Sequence, residues 1–279
     1  MKLGIISGWD ARGLQQVRDY GLDYVEFCIN VGTDAKTVLA RAEEIKANLS
    51  ANHLKVSSIG RWGTDRLAPD GSFNAPEHEN DLALIDLCAA VGCPIFTCGC
   101  NPIADMPFAK NAKLAAQYFR ALMDYATPKG VAIAVYNCDW NNLIYDRRGW
   151  DAVLDQAPGL GIKYDTSHCI NRNGDYLMEM FEYGKHIKHF HLKGTVRVQD
   201  FNVPDPPAGM DGIAWGSVFA ILYAHDYKAV ASIEPHSGTW TRGARGDFGV
   251  RFTIDYMRKF ILEEDTDAGK KQYMPGDTV

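Results

Sequence analysis

Three short segments of this 279-residue chain place carboxylate, imidazole and amine side chains at the ends of apolar runs. The segments read GIKYDTSH, HFHLKG and SIEPH. Carboxylates and imidazoles in one cluster suit a divalent ion such as Mn²⁺, Mg²⁺, Co²⁺ or Zn²⁺. Any single member would more commonly be a helix cap or a structural histidine, but three consecutive segments of this kind favour a shared metal site. The candidate residues are Asp165, His168, His189, His191, Lys193, Glu234 and His236.

Apolar, β-branched runs alternate with helical patterns along the chain, and each series has eight members. The runs are continuously apolar, which is typical of parallel strands with both faces buried. No glycine-rich phosphate turn follows the first run, so a closed barrel is favoured over an open sheet. We therefore predict an α/β fold, a (β/α)8 TIM barrel, as one catalytic domain over residues 1–262, with a polar tail over 263–279.

The eight predicted strands are Lys2–Ser7, Tyr24–Cys28, Lys55–Ile59, Pro94–Cys98, Val131–Tyr136, Gly161–Asp165, Ile187–Leu192 and Ala229–Glu234. The eight predicted helices are Asp10–Tyr20, Ala35–Asn52, Pro76–Val91, Asn111–Lys129, Gly149–Gln156, Asp175–Gly184, Trp215–His225 and Phe248–Leu262. In a parallel barrel the carboxyl ends of all strands meet at one rim, where active sites lie. The three chemistry-bearing segments are therefore predicted to meet at that rim.

Composition excludes several classes of function. The net charge is −6 and no basic run occurs, so an electrostatic case for nucleic-acid binding is absent. No membrane span or signal peptide is recognisable, and the odd count of seven cysteines suits reduced thiols, so a cytoplasmic protein is expected. Assembly into a homo-oligomer is left open by the composition.

The three segments resemble the last three strands of the xylose-isomerase-like TIM-barrel superfamily. That superfamily includes ketose 3-epimerases, hydroxypyruvate isomerases, inosose dehydratases and apurinic endonucleases. The resemblance extends from GIISGW through LDYVEF and KVSSIG to the strand of Glu234. In ketose 3-epimerases two Glu, one Asp and one His hold one divalent ion, which implies Asp165, His191 and Glu234 as ligands here. His168 resembles a histidine that contacts the substrate, and Arg197 resembles an arginine that reaches its distal oxygens.

One departure from the family pattern concerns the fifth strand. Relatives end it on Glu-Asn, whereas this chain has Tyr136-Asn137, so a ligand and acid/base carboxylate is missing. Three consequences are considered, in order of preference. In the first, Asn137 or a water completes the coordination. In the second, Tyr136 donates a proton because a nearby cation acidifies its phenol, and in the third the metal is lost and the site is degenerate.

The resemblance implies a sugar isomerase or epimerase whose partner is a small-molecule sugar or polyol substrate. Such an enzyme abstracts a proton next to a carbonyl and stabilises the enediolate with a divalent ion, with manganese among the candidates. Glu234 is the predicted base, with His168, Tyr136 or Lys193 as the partner acid. One alternative is a dehydratase or lyase acting on a keto-sugar, keto-inositol or keto-glycoside. A second alternative is a non-catalytic barrel subunit with a decayed site.

The remaining candidates are predicted to contact substrate. Tryptophan faces stack on the C–H side of sugars, which makes the tryptophans near strand ends candidates for a carbohydrate pocket. Glu26, near the end of the second strand, is a further candidate, although it is favoured as a group that holds a histidine or arginine in place. The full set of substrate-contact candidates is Arg197, Lys193, His189, Trp9, Trp62, Arg61, Glu26 and His236.

Overall fold

Eight parallel strands close into a barrel in the computed structural model, which describes residues 1–199 and 201–262. The described residues form ten strands in all: β1 Lys2–Ile6, β2 Tyr24–Cys28, β3 Lys55–Arg61, β4 Ile95–Cys98, β5 Ala132–Tyr136, β6 Gly161–Asp165, β7 Ile187–Leu192, β8 Val196–Val198, β9 Phe201–Val203 and β10 Val230–Ile233. The barrel order is β1-β10-β7-β6-β5-β4-β3-β2, and β8 and β9 form a separate antiparallel hairpin. The predicted single-domain TIM barrel is confirmed, and all eight predicted strands are barrel strands.

Helices connect the barrel strands and cover the outside of the barrel. They are α1 Ala11–Asp19, α2 Ala35–Leu39, α3 Ala42–Ala51, α4 Ala75–Val91, α5 Phe108–Ala126, α6 Arg147–Val153, α7 Thr166–Asn171, α8 Tyr176–Tyr183, α9 Trp215–Ala224 and α10 Gly243–Arg258. Three features differ from the predicted pattern. The predicted helix Ala35–Asn52 is broken near Arg41, whose φ of −99° and ψ of 12° leave the helical region. The short helix α7 was not predicted, and α10 begins five residues before Phe248.

The register of the last strands sets the position of the predicted ligands. Asp165 at the end of β6 pairs with His191 on β7, and His191 pairs with Ser232 on β10. Glu234 follows two residues later, directly after the end of β10. Since parallel strands run in the same direction, all three side chains arise at the carboxyl rim of the barrel.

Two further expectations concern the whole chain. Within residues 1–199 and 201–262, no helix has the length and apolar character needed to cross a membrane. All seven cysteines are free thiols, as expected from their odd number. The predicted tail, 263–279, lies outside the described residues.

Candidate active site

The structure brings Asp165, His191 and Glu234 together at the carboxyl rim. One potential ligand atom from each of the three lies within 4.8 Å of the others. The His191 Nδ1 and Glu234 Oε2 atoms are 2.7 Å apart. Asp165 precedes His191 by 26 positions, and His191 precedes Glu234 by 43. The three residues nevertheless form one cluster, as the sequence segments predicted.

Asp165 offers one uncommitted carboxylate oxygen. Its Oδ1 accepts hydrogen bonds from the backbone N–H and hydroxyl of Ser167, at 2.9 and 2.7 Å, and so caps α7. Its Oδ2 is buried and accepts no hydrogen bond from the described residues, although Lys193 Nζ lies 3.2 Å away. Burial would raise the pKa of Asp165, but the Lys193 ammonium outweighs burial and holds that pKa below its usual range. Asp165 is therefore an ionised group with a free acceptor.

Glu26 lies beneath the cluster and orients two imidazoles. Its carboxylate is fully buried, 2.7 Å from His189 Nε2, and both of its oxygens are 2.9 Å from His191 Nε2. Burial would raise the pKa of Glu26, but the two histidines hold it well below its usual range. Because Glu26 engages Nε2 of His191, the other ring nitrogen, Nδ1, is directed at Glu234. This agrees with the favoured interpretation of Glu26 as a group that holds a histidine in place.

A cavity of about 410 Å³ opens at the rim beside these residues. This volume is within the range of small-molecule sites. Two tryptophans line it, Trp62, which was a predicted substrate contact, and Trp140. Its titratable lining residues are Cys28, Cys138, Lys163, His168, His191, Lys193, Asp205, Glu234 and His236.

His168 and Lys193 interact at the cavity wall. Lys193 Nζ lies 3.3 Å from His168 Nε2 and 3.7 Å from Glu234 Oε1. Burial lowers the pKa of His168 to about 3 despite the nearby Asp165 carboxylate, so this imidazole is neutral at physiological pH. Burial would lower the pKa of Lys193, but Asp165 and Glu234 outweigh burial and raise it. The wall therefore presents a neutral imidazole beside a persistent cation.

Lys163 is a site residue that the sequence analysis missed. It precedes Asp165 by two positions on β6, so both side chains point into the barrel. It is 1% exposed and lines the cavity, with Nζ 3.9 Å from Asp165 Oδ2 and 5.8 Å from the centre of the Trp62 ring. A lysine in the otherwise apolar segment GIKY was the signal available in the sequence.

The fifth-strand candidates do not join the cluster. Tyr136 is fully buried, its ring stacks on Trp62 at 5.3 Å, and its hydroxyl donates to the Trp140 carbonyl at 3.4 Å. A side chain at position 99 would collide with this ring, so Gly99 makes room for it. Burial raises the pKa of Tyr136, and its role as a proton donor stays a prediction. Tyr136 is not among the residues that line the cavity.

Asn137 connects the ends of β5 and β6. Its amide nitrogen donates to the Asp165 carbonyl at 2.9 Å, and its amide oxygen accepts from the Asp165 N–H at 2.9 Å. Its amide oxygen and nitrogen are thus both engaged with the Asp165 backbone. Asn137 therefore holds the backbone of Asp165 in place, and its role as a metal ligand stays a prediction.

Four further predicted substrate contacts lie, like Glu26, outside the lining of the cavity. Arg61 is 3% exposed and its guanidinium binds the Glu77 carboxylate and backbone carbonyls, including that of Ile29 at 3.1 Å. Arg197 donates to the carbonyls at the end of α7, at 2.9 Å for Asn171. These arginines, together with Trp9 and His189, are not among the residues that line the cavity.

His236, another predicted substrate contact, lines the cavity. Its Nδ1 is 2.7 Å from Asp205 Oδ2, and its side chain is 54% exposed, so this pair lies at the mouth of the cavity. The hydrogen bond from Asp205 raises the pKa of His236, and burial only partly opposes it. Asp205 was not predicted, because no pattern in the sequence places it near His236.

The cluster fits a divalent ion with three protein ligands. The free Oδ2 of Asp165 is an ionised oxygen that lacks a hydrogen-bonded partner, and carboxylates are suitable donors to such ions. His191 has a carboxylate on one ring nitrogen and its other nitrogen turned to the cluster, the arrangement that commonly orients metal-ligating histidines. Glu234 would supply the third donor.

Comparison with known proteins places the chain in a family. A family model described as a xylose isomerase-like TIM barrel matches residues 14–260. The chain belongs to the xylose isomerase-like TIM-barrel family. The resemblance inferred from the three rim segments is thereby confirmed. No curated protein sequence matches the chain.

Solved structures of other xylose isomerase-like barrels share the fold. D-psicose 3-epimerase from Clostridium cellulolyticum H10, solved with D-tagatose, has a TM-score of 0.76 at 16% identity, covering 93% of this chain and 99% of that chain. A 3-keto-D-glucoside 4-epimerase from E. coli has a TM-score of 0.71 at 14% identity, with coverages of 93% and 99%. A probable 3-DHS dehydratase from Bacillus anthracis has a TM-score of 0.70 at 14% identity, with coverages of 92% and 99%. At these identities the likeness establishes the fold.

Proposed function

We propose that this xylose isomerase-like barrel is a sugar isomerase or epimerase that moves a proton next to a carbonyl group. The observation that carries the proposal is the convergence of Asp165, His191 and Glu234 at the carboxyl rim. The cavity beside them is lined by His191 and Glu234 together with a neutral His168 and a cationic Lys193. Epimerases among the structural neighbours act on ketoses or keto-sugars according to their names, which supports a small-molecule sugar as the substrate.

Asp165, His191 and Glu234 would hold one divalent ion, with Mn²⁺, Mg²⁺, Co²⁺ and Zn²⁺ as candidates. Such an ion would offset the negative charge that develops on the substrate oxygens as the proton leaves. The contribution of the protein is to fix the ligands: Glu26 orients His191, and Asn137 holds the backbone of Asp165.

The proton is transferred by side chains of the cavity wall. Glu234 bonds His191 through Oε2, which leaves Oε1 for the C–H group of the substrate. Burial would raise the pKa of Glu234, but Lys193 and His191 hold it well below its usual range, so this carboxylate is in the ionised form that a general base requires. His168 and Lys193 lie within reach of one another and of the cavity, and they are the candidate proton donors to a substrate oxygen.

A dehydratase or lyase is the second candidate. Apart from the proposed ligands, Asp205 is the only carboxylate among the cavity-lining residues of the described chain, and it is bound to His236. A single available base, Glu234, suits removal of a proton followed by loss of an oxygen substituent, whereas epimerisation with two bases returns the proton on the opposite face. The neighbour named as a probable dehydratase belongs to the same fold.

Solvent-deuterium exchange tests the proposed function. Ketoses and keto-sugars are incubated in D₂O with the protein and each candidate ion, and incorporation at the carbon next to the carbonyl is followed by mass spectrometry. We expect exchange with wild type and at least a 100-fold slower exchange with Glu234→Gln, because general base catalysis typically contributes about that factor. Glu43→Gln is the matched control, because its carboxylate is exposed on α3. Full exchange by Glu234→Gln would contradict the assignment of the base.

A further inference from the structure

Two lysine ammonium groups occupy the floor and wall of the candidate active site. Lys163 reaches it from β6 and is 1% exposed, and Lys193, just after β7, is 4% exposed. Buried ammonium groups are strongly unfavourable unless anions compensate their charge. The nearby carboxylates therefore determine which charge a further ligand of the cavity should carry.

The carboxylates that compensate these lysines are the same ones that would hold the ion. Asp165 Oδ2 is 3.9 Å from Lys163 Nζ and 3.2 Å from Lys193 Nζ, and Glu234 Oε1 is 3.7 Å from Lys193 Nζ. The other carboxylate that lines the cavity, Asp205, is bound to the imidazole of His236. Within the described part of the chain, each lysine thus finds its anionic partners within 4.0 Å among the proposed ligands.

Ion binding disturbs this balance of charge. An ion held by Asp165 and Glu234 withdraws both carboxylates from the lysines and places two additional positive charges next to two ammonium groups. The repulsion is relieved when a further anion enters the cavity. The cavity is therefore complementary to an ion together with an acidic ligand, rather than to an ion with a neutral sugar.

We propose that the substrate carries a carboxylate close to its reacting carbonyl group, and that Lys163 and Lys193 bind this carboxylate. This inference rests on the proposed function and narrows its substrate class from sugars in general to keto acids derived from sugars. The position of the acid group follows from geometry. Both ammonium groups lie within 4.0 Å of the oxygen that would bind the ion, so the acid group lies near the chelated end of the substrate. A phosphate at the far end of a six-carbon sugar would instead lie towards the mouth.

The proposal has a thermodynamic consequence. If the acidic ligand compensates the charge of the lysines, it strengthens ion binding, and the ion strengthens binding of the acid by the same factor. Neutral sugars of the same size do not have this effect. The coupling is measurable without catalysis.

The experiment measures Mn²⁺ binding by the electron paramagnetic resonance signal of free Mn²⁺. Wild type is titrated alone and with 2-keto-D-gluconate, D-fructose or D-fructose 6-phosphate, after correction for binding of Mn²⁺ by each compound in solution. We expect the keto acid to tighten Mn²⁺ binding about 10-fold, a typical coupling between sites. Fructose should have no effect, and the phosphate ester a smaller one than the keto acid.

Two variants locate the effect. Lys163→Met removes one ammonium group but keeps a side chain of similar length. This variant should therefore bind Mn²⁺ more tightly than wild type and lose most of the coupling to the keto acid. Lys55→Met is the matched control, because Lys55 is exposed and lies at the opposite rim of the barrel. Thermal unfolding verifies that each variant is folded. If a variant does not fold, the comparison among the ligands in wild type still tests the proposal.

The outcomes separate this inference from the function on which it rests. Mn²⁺ binding that is equally tight with fructose and with the keto acid overturns the inference and leaves the proposed metal site intact. Tighter binding with the phosphate ester than with the keto acid overturns the assignment of a carboxylate. Absence of Mn²⁺ binding under all conditions overturns both. Coupling to the keto acid without any deuterium exchange retains the inference and contradicts the proposed catalytic function.

Discussion

His191 owes its direction to Glu26. The buried carboxylate of Glu26 engages Nε2 of both His189 and His191, so the ring of His191 has one nitrogen fixed and the other facing Glu234. Hydrogen bonds to an ionised group are among the strongest in proteins, and here the side chains of Glu26, His189 and His191 are all buried. Glu26 therefore positions His191, a proposed ligand, although Glu26 is not among the residues that line the cavity.

Replacement of Glu26 by glutamine tests this function. The neutral amide of Glu26→Gln cannot accept charge-assisted bonds from both imidazoles, so His191 becomes a weaker and less well oriented donor. We expect the affinity for Mn²⁺ to fall about 10- to 100-fold, as is typical when a group that orients a ligand is changed. Isothermal titration measures the affinity, with Glu43→Gln as the exposed control. An unchanged Kd would show that Glu26 does not position His191.

Individual side chains show where the sequence was informative and where it was not. The places of Asp165 and His191 at the rim were predictable because each lies within the last two residues of a strand whose pattern is local. The direction of Tyr136 was not, because the absence of a side chain at Gly99 decides where its ring packs, and these two positions are neighbours only in the folded barrel. Lys163 was overlooked because one lysine in an apolar strand reveals neither its orientation nor its partners.

Asn137 provides a second kind of support, between strands rather than between side chains. Parallel strands bond each other through regularly spaced backbone groups, and this pattern ends where the strands end. Asn137 continues the connection, since its amide binds both the N–H and the carbonyl of Asp165. The ends of β5 and β6 are thereby held together at the position where Asp165 must present its carboxylate.

Removal of this amide should destabilise the barrel. Asn137→Ala leaves a buried N–H and a buried carbonyl of Asp165 without these partners, and each such group costs about 1–3 kcal/mol. We expect the free energy of unfolding to fall by about 2–4 kcal/mol in urea titrations monitored by circular dichroism. Asn202→Ala is the control, because Asn202 is exposed on β9 and its replacement should change stability by less than about 0.5 kcal/mol. If the free energy of unfolding fell by as little as in the control, the hydrogen bonds between Asn137 and the Asp165 backbone would not contribute to stability.

Helices and strands differ in how well the sequence predicted them. The eight barrel strands are short, apolar and separated by helical patterns, so their positions are encoded locally. Helix α7 begins directly at the end of β6 and is capped by the Asp165 carboxylate. The sequence pattern of the strand therefore continues up to the first residue of the helix, and no loop separates the two elements. The hairpin of β8 and β9 is short and lies outside the barrel, and three-residue strands have too few positions to show a pattern.

The barrel as a whole assembles a site that no segment contains. Asp165, His191 and Glu234 come from three different strands, and their ligand atoms approach one another only when β6, β7 and β10 are in register. An unfolded chain has no comparable arrangement of these three residues. An ion that binds the cluster should therefore bind the folded state alone and contribute its binding energy to the stability of the fold.

Mn²⁺ should consequently stabilise the whole molecule against unfolding. At a concentration of 100 times its Kd, the ion adds about 2.7 kcal/mol to the free energy of unfolding, because it binds the native state and not the unfolded one. Differential scanning calorimetry with and without Mn²⁺ measures this as a rise in Tm, and EDTA should reverse the rise. His191→Gln should abolish the stabilisation, whereas His53→Asn, at an exposed position after α3, should retain it in full. If His191→Gln were stabilised as much as wild type, the ion would be bound elsewhere, and the three strand ends would not form its site.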